Sequence, residues 1–87
     1  MLNYELKKNK YYSLYSCIRD DILSGKLKSG FRLPSKREMA ENLSVSVITV
    51  QNAYDQLLAE GYIYSIQRSG YFVAEVNADF HGTREVT

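Results

Sequence analysis

The chain has little of what most chemistry requires. Cys17 is the only cysteine, which excludes an internal disulfide and a cysteine-based metal cluster and suits a reducing cytoplasm. Set one residue before Ile18, that thiol is expected to be a small buried packing group rather than a reactive one. The only histidine, His81, stands in an irregular C-terminal stretch, and neither a glycine-rich phosphate loop nor a cysteine pair accompanies it. Asp20 and Asp21 are neighbours on a predicted helix and so point in different directions, unlike a cooperating acid pair. No enzymatic activity, metal or cofactor is therefore expected within this chain. No apolar run approaches the roughly 18 residues that span a bilayer. The opening MLNYELKKNK has no hydrophobic signal segment, so a cytoplasmic chain without a membrane partner is expected. A large excess of charge is lacking too, the formal net value being +1.

What is present is enough apolar material for one small packed domain. The 87 residues are 45% hydrophobic, with eight tyrosines supplying most of the aromatic content. Tyrosine suits half-buried positions, ring inside and hydroxyl at the edge. The weak net charge also conceals an asymmetry. From Met1 to Arg37 there are nine Lys or Arg against three acids, and from Glu38 to Thr87 two Arg against seven acids, giving +6 and −5. Any attraction for phosphate is concentrated in the N-terminal half. The plainer reading of those lysines is a solvated surface.

Periodicity divides the chain. Residues 1–10 are polar and basic and read as a mobile arm, and residues 11–76 as the folded domain. Tyr11, Leu14, Tyr15, Ile18 and Ile22 share one helical face, predicting a first helix over about 10–24 with Gly25 as its left-handed cap. Arg32 and Leu33 are expected to be extended, because Leu33 precedes Pro34. Ser35 followed three residues later by Glu38 is a capping box, worth on the order of 1 kcal/mol for the hydroxyl alone. Met39, Ala40 and Leu43 give that helix an inner face. Ser44-Val45-Ser46 is a short turn whose valine can plug the angle between helices, and Ser46 is a second N-cap. Val50, Ala53, Tyr54, Leu57 and Leu58 form the stripe of a third helix over about 46–60, which Gly61 ends. Beyond it the pattern turns to strand: Tyr62, Ile63, Tyr64 and Ile66, then Tyr71 to Val76, joined by a hairpin tip at Gln67-Arg68-Ser69-Gly70 in which glycine supplies the positive φ. Three helices and a small β-hairpin make a mainly α fold, a winged helix-turn-helix. Residues 77–87 are largely polar, with one apolar ring at Phe80, and read as a linker or chain end.

The order short capped helix, tight turn, longer helix is that of a helix-turn-helix reader of double-stranded DNA. The buried stripe of the third helix turns Val47, Ile48, Thr49, Gln51 and Asn52 outward. The amides of Gln51 and Asn52 donate and accept at once, which matches adenine in the major groove, while Val47 and Thr49 suit a thymine methyl or a phosphate. Ser35 and Ser46 stand beside free backbone N–H groups that attract phosphate oxygen, and Lys36 and Arg37 strengthen the first of these sites. Arg68, with Ser69 and Gly70, forms a basic wing tip over 67–70 that can reach flanking DNA. Against this stand blander readings: an ordinary polar helix face, a solvated turn arginine, and a winged helix used as a protein-interaction module. The expectation is a sequence-specific DNA-binding domain.

The block LPSKREMAENLSVSVITVQNAYDQLLAEGY followed by RSGYFV closely resembles the DNA-binding domain of the GntR family of bacterial transcription regulators, from about Tyr11 to Val73. AYDQLLAEGY and SVITV are most similar to the MocR type, with the YtrA type the nearest rival. The resemblance implies a longer regulator, dimeric, of which this chain is the reading head, and for the MocR type a pyridoxal-phosphate-binding, aminotransferase-like domain after a linker that opens at Asn77. It places Arg37 on the family's DNA-contacting arginine, Ser46 and Thr49 on recognition-helix hydroxyl positions, and Gly70 in the wing. Tyr4 and Tyr12 are open to a dimer contact or to ordinary core or surface placement. Two departures stand out. Val47 occupies a position where arginine is frequent, which shifts reading onto Arg37, Gln51 and Arg68. Ser44 stands where glycine is common, so a left-handed backbone there costs roughly up to 1 kcal/mol.

Overall fold

The computed structural model describes residues 9–76. The expected arm up to residue 8 and the expected linker from residue 77, with Tyr4, Phe80 and His81, fall outside the described residues. Helix α1 spans Lys10–Leu23, α2 Lys36–Leu43 and α3 Val47–Glu60, followed by strands β1 (Ile63–Ile66) and β2 (Gly70–Val73). Asn9 and Lys10 do not belong to an arm: the Asn9 side chain accepts from the Tyr12 N–H at 3.1 Å and caps α1, which begins at Lys10. Asparagine makes this bond as well as serine does, and a basic stretch conceals it.

α1 buries Leu14, Tyr15, Ile18 and Ile22, the face that the spacing predicts, and passes through Ser24 to Gly25, whose φ is +87°. Cys17 is partly exposed rather than buried, because it lies one step off that stripe. α2 carries both halves of its capping box: Ser35 Oγ accepts from the Glu38 N–H at 3.1 Å and the Glu38 carboxylate accepts from the Ser35 N–H at 3.0 Å. The helix stops at Ser44, which is left-handed with φ 58° and ψ 44°. Val45 then packs against the core, so the turn is short and its apolar member closes the corner.

α3 is the central element, in contact with α1, α2 and β1. Val50, Ala53, Tyr54 and Leu57 are fully buried along it. Each large side chain so buried is worth about 1.5–3 kcal/mol relative to exposure, which is what holds so short a chain together. The Tyr54 ring meets Tyr71 of β2 edge-on with centres 4.9 Å apart, and its hydroxyl donates to the Pro34 carbonyl at 2.7 Å. Burial pushes this phenol far above its ordinary pKa, so it remains a proton donor throughout the neutral range.

The two strands pair antiparallel, Ile63 with Val73, Tyr64 with Phe72, Ser65 with Tyr71 and Ile66 with Gly70. β2 ends at Val73, earlier than the apolar run to Val76 implies, although one further bond in the same register, from Ala74 N–H to the Tyr62 carbonyl at 2.9 Å, ties the chain to β1 just beyond it. On its other edge β2 receives the segment before α2. Gly30 N–H donates to Val73 O at 2.8 Å, Val73 N–H to Phe31 O at 2.9 Å and Leu33 N–H to Tyr71 O at 2.8 Å, with Arg32 opposite Phe72. The loop leading into α2 is thus joined to the wing.

Candidate nucleic-acid interface

The N-terminal turn of α2 exposes Ser35 and Arg37 and half-buries Lys36. The Ser35 hydroxyl is occupied by capping, and the following N–H groups lack an acceptor within the helix. The Lys36 ammonium lies 6.0 Å from the centre of the Tyr71 ring, which leans it toward the wing. Glu38, the one acid in this turn, is tied back to the Ser35 N–H.

At the start of α3 the Ser46 hydroxyl accepts from the Thr49 N–H at 3.1 Å and also sits 2.9 Å from the Thr49 hydroxyl. The two hydroxyls are therefore coupled, and Thr49 is half-buried rather than fully outward. Val47 and Asn52 are exposed and Gln51 half-exposed. Neither the Gln51 nor the Asn52 amide has a partner among the described residues, so both keep donor and acceptor available for a ligand. Ile48 shares the surface and, at 64% exposure, is the most exposed large apolar side chain of the described residues. An isoleucine that the core does not need, placed at a helix N-terminus among amides, is suited to a thymine methyl. Farther along α3 the exposed residues become acidic, at Asp55 and Glu60, so only the first half of the helix is compatible with phosphate.

The wing tip is a three-residue loop, Gln67-Arg68-Ser69, closed by Ser69 N–H donating to Ile66 O at 2.9 Å. Gly70 has positive φ, at 125°, but it is the first residue of β2 rather than part of the turn. The left-handed residue of the turn itself is Arg68, with φ 69°. That position ordinarily takes glycine or asparagine, so an arginine there holds its cation at some cost in strain.

Arg32 was not legible as part of this surface. It is exposed, and pairing with β2 lays its guanidinium over Gly70: a Cβ added to that glycine would lie 3.2 Å from Arg32 Nε. The extended reading before Pro34 was the available signal, but it did not say which strand that segment meets. Arg32, Lys36, Arg37 and Arg68 have no acidic partner among the described residues, where the ion pair is Arg19 with Asp20 at 3.2 Å.

A separate cluster ties α1 to the far end of α3. The Tyr15 hydroxyl donates to the Glu60 carboxylate, Gln56 Nε2 donates to its other oxygen at 2.7 Å, and the Arg19 guanidinium lies 5.2 Å from the centre of the Tyr15 ring. The bond from Tyr15, then that from Gln56, holds the Glu60 carboxyl below its ordinary value. Among the described residues no group of three or more His, Cys, Asp or Glu side chains is arranged to hold a metal, and no helix is long and apolar enough to cross a membrane.

Residues 10–73 match the family described as bacterial regulatory proteins, gntR family. Over 79 residues the chain is 44% identical to the uncharacterized HTH-type transcriptional regulator YdeL of Bacillus subtilis, covering 91% of this chain and 17% of that one. It is 52% identical over 66 residues to the probable rhizopine catabolism regulatory protein MocR of Rhizobium meliloti, covering 76% and 13%. The chain spans about one-sixth of the length of these relatives or less. Among solved structures, the DNA-binding domain of AraR in complex with operator ORE1 superposes with a TM-score of 0.71 at 31% identity, covering 85% of this chain and 90% of that one.

Proposed function

Because the chain belongs to the GntR family of bacterial regulatory proteins, we propose that it is the sequence-specific DNA-binding domain of a transcription regulator. α3 enters the major groove by its N-terminal half. Gln51 and Asn52 read adenine edges there, while Val47, Thr49 and Ile48 meet thymine methyls or adjacent phosphate. Phosphate oxygens approach the N-termini of α2 and α3 beside Ser35 and Ser46, where N–H groups and helix dipole favour an anion, and Lys36 and Arg37 supply charge. The wing brings Arg68, with Ser69 and Gly70, onto flanking DNA.

The observation that carries this reading is the juxtaposition of two capped helix N-termini, each opening onto the exposed surface, with cations that have no acidic partner and amides that have no hydrogen-bond partner among the described residues. Such groups are poorly explained as structural devices and well suited to an anionic duplex. The solved complex of the AraR domain with operator ORE1 supports the same partner class.

The longer protein is proposed to be of the MocR type, its residues from 77 leading to a pyridoxal-phosphate-binding domain. The length and identity of the MocR relative support that reading. It is proposed to act as a homodimer in the cytoplasm on paired half-sites with centres about 34–36 Å apart or a multiple of that. A salt titration of binding to duplexes enriched by selection tests the DNA reading. The logarithm of affinity is expected to fall linearly with that of salt, and Arg37→Ala to weaken binding and reduce the slope by about one. Failure to enrich any duplex, or binding indifferent to salt, rejects it.

A further inference from the structure

The strand-like segment before α2 brings a cation to the wing that the sequence order keeps 36 residues away from Arg68. Arg32 stands opposite Phe72 on β2, and on the same face of that strand the next position is Gly70. Diagonal cross-strand neighbours are within reach of a long side chain. Here the guanidinium crosses to the glycine: Nε would lie 3.2 Å and a terminal nitrogen 3.6 Å from a Cβ built on Gly70. Gly70 therefore leaves the room that Arg32 occupies, and its φ of 125° is one that a side chain would make strained in any case.

Three features set Arg32 apart from a surface arginine that merely keeps the chain hydrated. Its backbone is fixed by bonds on both sides, Val73 N–H to Phe31 O and Leu33 N–H to Tyr71 O. Its head group lies against backbone instead of extending freely into solvent, so less rotamer entropy remains to be lost on binding. It has no acidic partner among the described residues. Gly70 in turn follows the tip that carries the exposed Arg68, so the wing bears one arginine at its tip and a second, drawn from the other half of the sequence, at the glycine that closes it.

We infer that Arg32 is a second DNA contact of the wing, gripping a backbone phosphate beside the one that Arg68 approaches, with Gly70 as the residue that gives it its place. This rests on the DNA-binding reading of the same surface. It extends the contact surface from the hairpin tip to the loop before α2. A phosphate is the fitting partner because the guanidinium is planar, always charged and presents paired donors.

Binding of the parent chain to its selected duplex and to a scrambled duplex is measured across a salt series, alongside Arg32→Gln and Arg32→Lys, with thermal unfolding recorded for each. Arg32→Gln is expected to weaken binding to both duplexes by roughly tenfold and to reduce the salt slope by about one. Arg32→Lys is expected to restore the slope while recovering only part of the affinity. Both variants should unfold at the temperature of the parent. An unchanged affinity and slope in Arg32→Gln, with the parent binding normally, overturns the assignment of Arg32 and leaves the DNA-binding reading intact. A loss confined to the selected duplex with the slope unchanged also overturns it, because that is the mark of a base contact. Absence of binding by the parent itself would instead remove the reading on which the inference rests.

Discussion

Ser44 is a residue under strain by choice of position. Its φ of 58° and ψ of 44° end α2 and let Val45 turn inward, a backbone that glycine adopts freely and serine does not. Replacing it with glycine is expected to raise stability by up to about 1 kcal/mol in denaturant unfolding, with little effect on DNA affinity because no ligand contact is assigned to it. A loss of stability would mean that the serine is held by something other than backbone geometry. Arg68 is strained in the same way, but there the cation is what the position presents.

At the scale of elements, the joint between α3, the entry to α2 and β2 decides whether the proposed contacts lie on one surface. Tyr54 makes that joint. Its ring meets Tyr71, and its hydroxyl is bonded to the Pro34 carbonyl one residue before the α2 cap. Tyr54→Phe keeps the packing and removes the bond, which should cost about 0.5–1.5 kcal/mol, with more if the carbonyl is left without a partner. Because the α2 cap is then less well anchored, affinity for DNA should fall even at temperatures where the variant is fully folded. Equal affinity in parent and variant below the unfolding transition would show that α2 is placed by its apolar contacts alone. The helices themselves were legible in the sequence. The two serine caps, the left-handed glycines after α1 and α3 and the stripe from Val50 to Leu57 are all local signals, and each element begins and ends within a residue of where they point. The Asn9 cap was hidden by a basic stretch without periodicity.

For the whole molecule, the pairing of α1 with the end of α3 adds a dependence on pH. Glu60 accepts from Tyr15 and Gln56, and its carboxyl is held below its ordinary 4.5. A carboxyl depressed in the fold contributes stability that is complete above its unfolded value and is lost as pH falls through the folded one. Tyr15 is shifted upward from 10.0, chiefly by its bond to Glu60, so its contribution is complete below 10.0 and is lost as pH rises through the folded value. Denaturant unfolding of the parent and of Glu60→Gln from neutral pH down to strongly acid conditions is expected to show the parent's advantage shrinking below about 4.5. A gap that stays constant over that range would mean that the Glu60 carboxylate is not held by these bonds. The cluster lies apart from the cations proposed for DNA, so the substitution should leave the salt slope of binding unchanged.

The sequence by itself determined where each helix begins and ends, which faces are buried, and that Gln51, Asn52 and Arg37 lie off those faces, because capping, helical spacing and turn chemistry act over three or four neighbouring residues. Only the tertiary structure decided that Thr49 is coupled to Ser46 and half-buried, that Arg68 and not Gly70 takes the left-handed place in the turn, and that Arg32 reaches the wing. The last of these depends on which strand the segment before α2 meets and in what register. Backbone hydrogen bonds between distant parts of a chain carry no side-chain signature of their partner, so that choice is made by the packing of the whole fold.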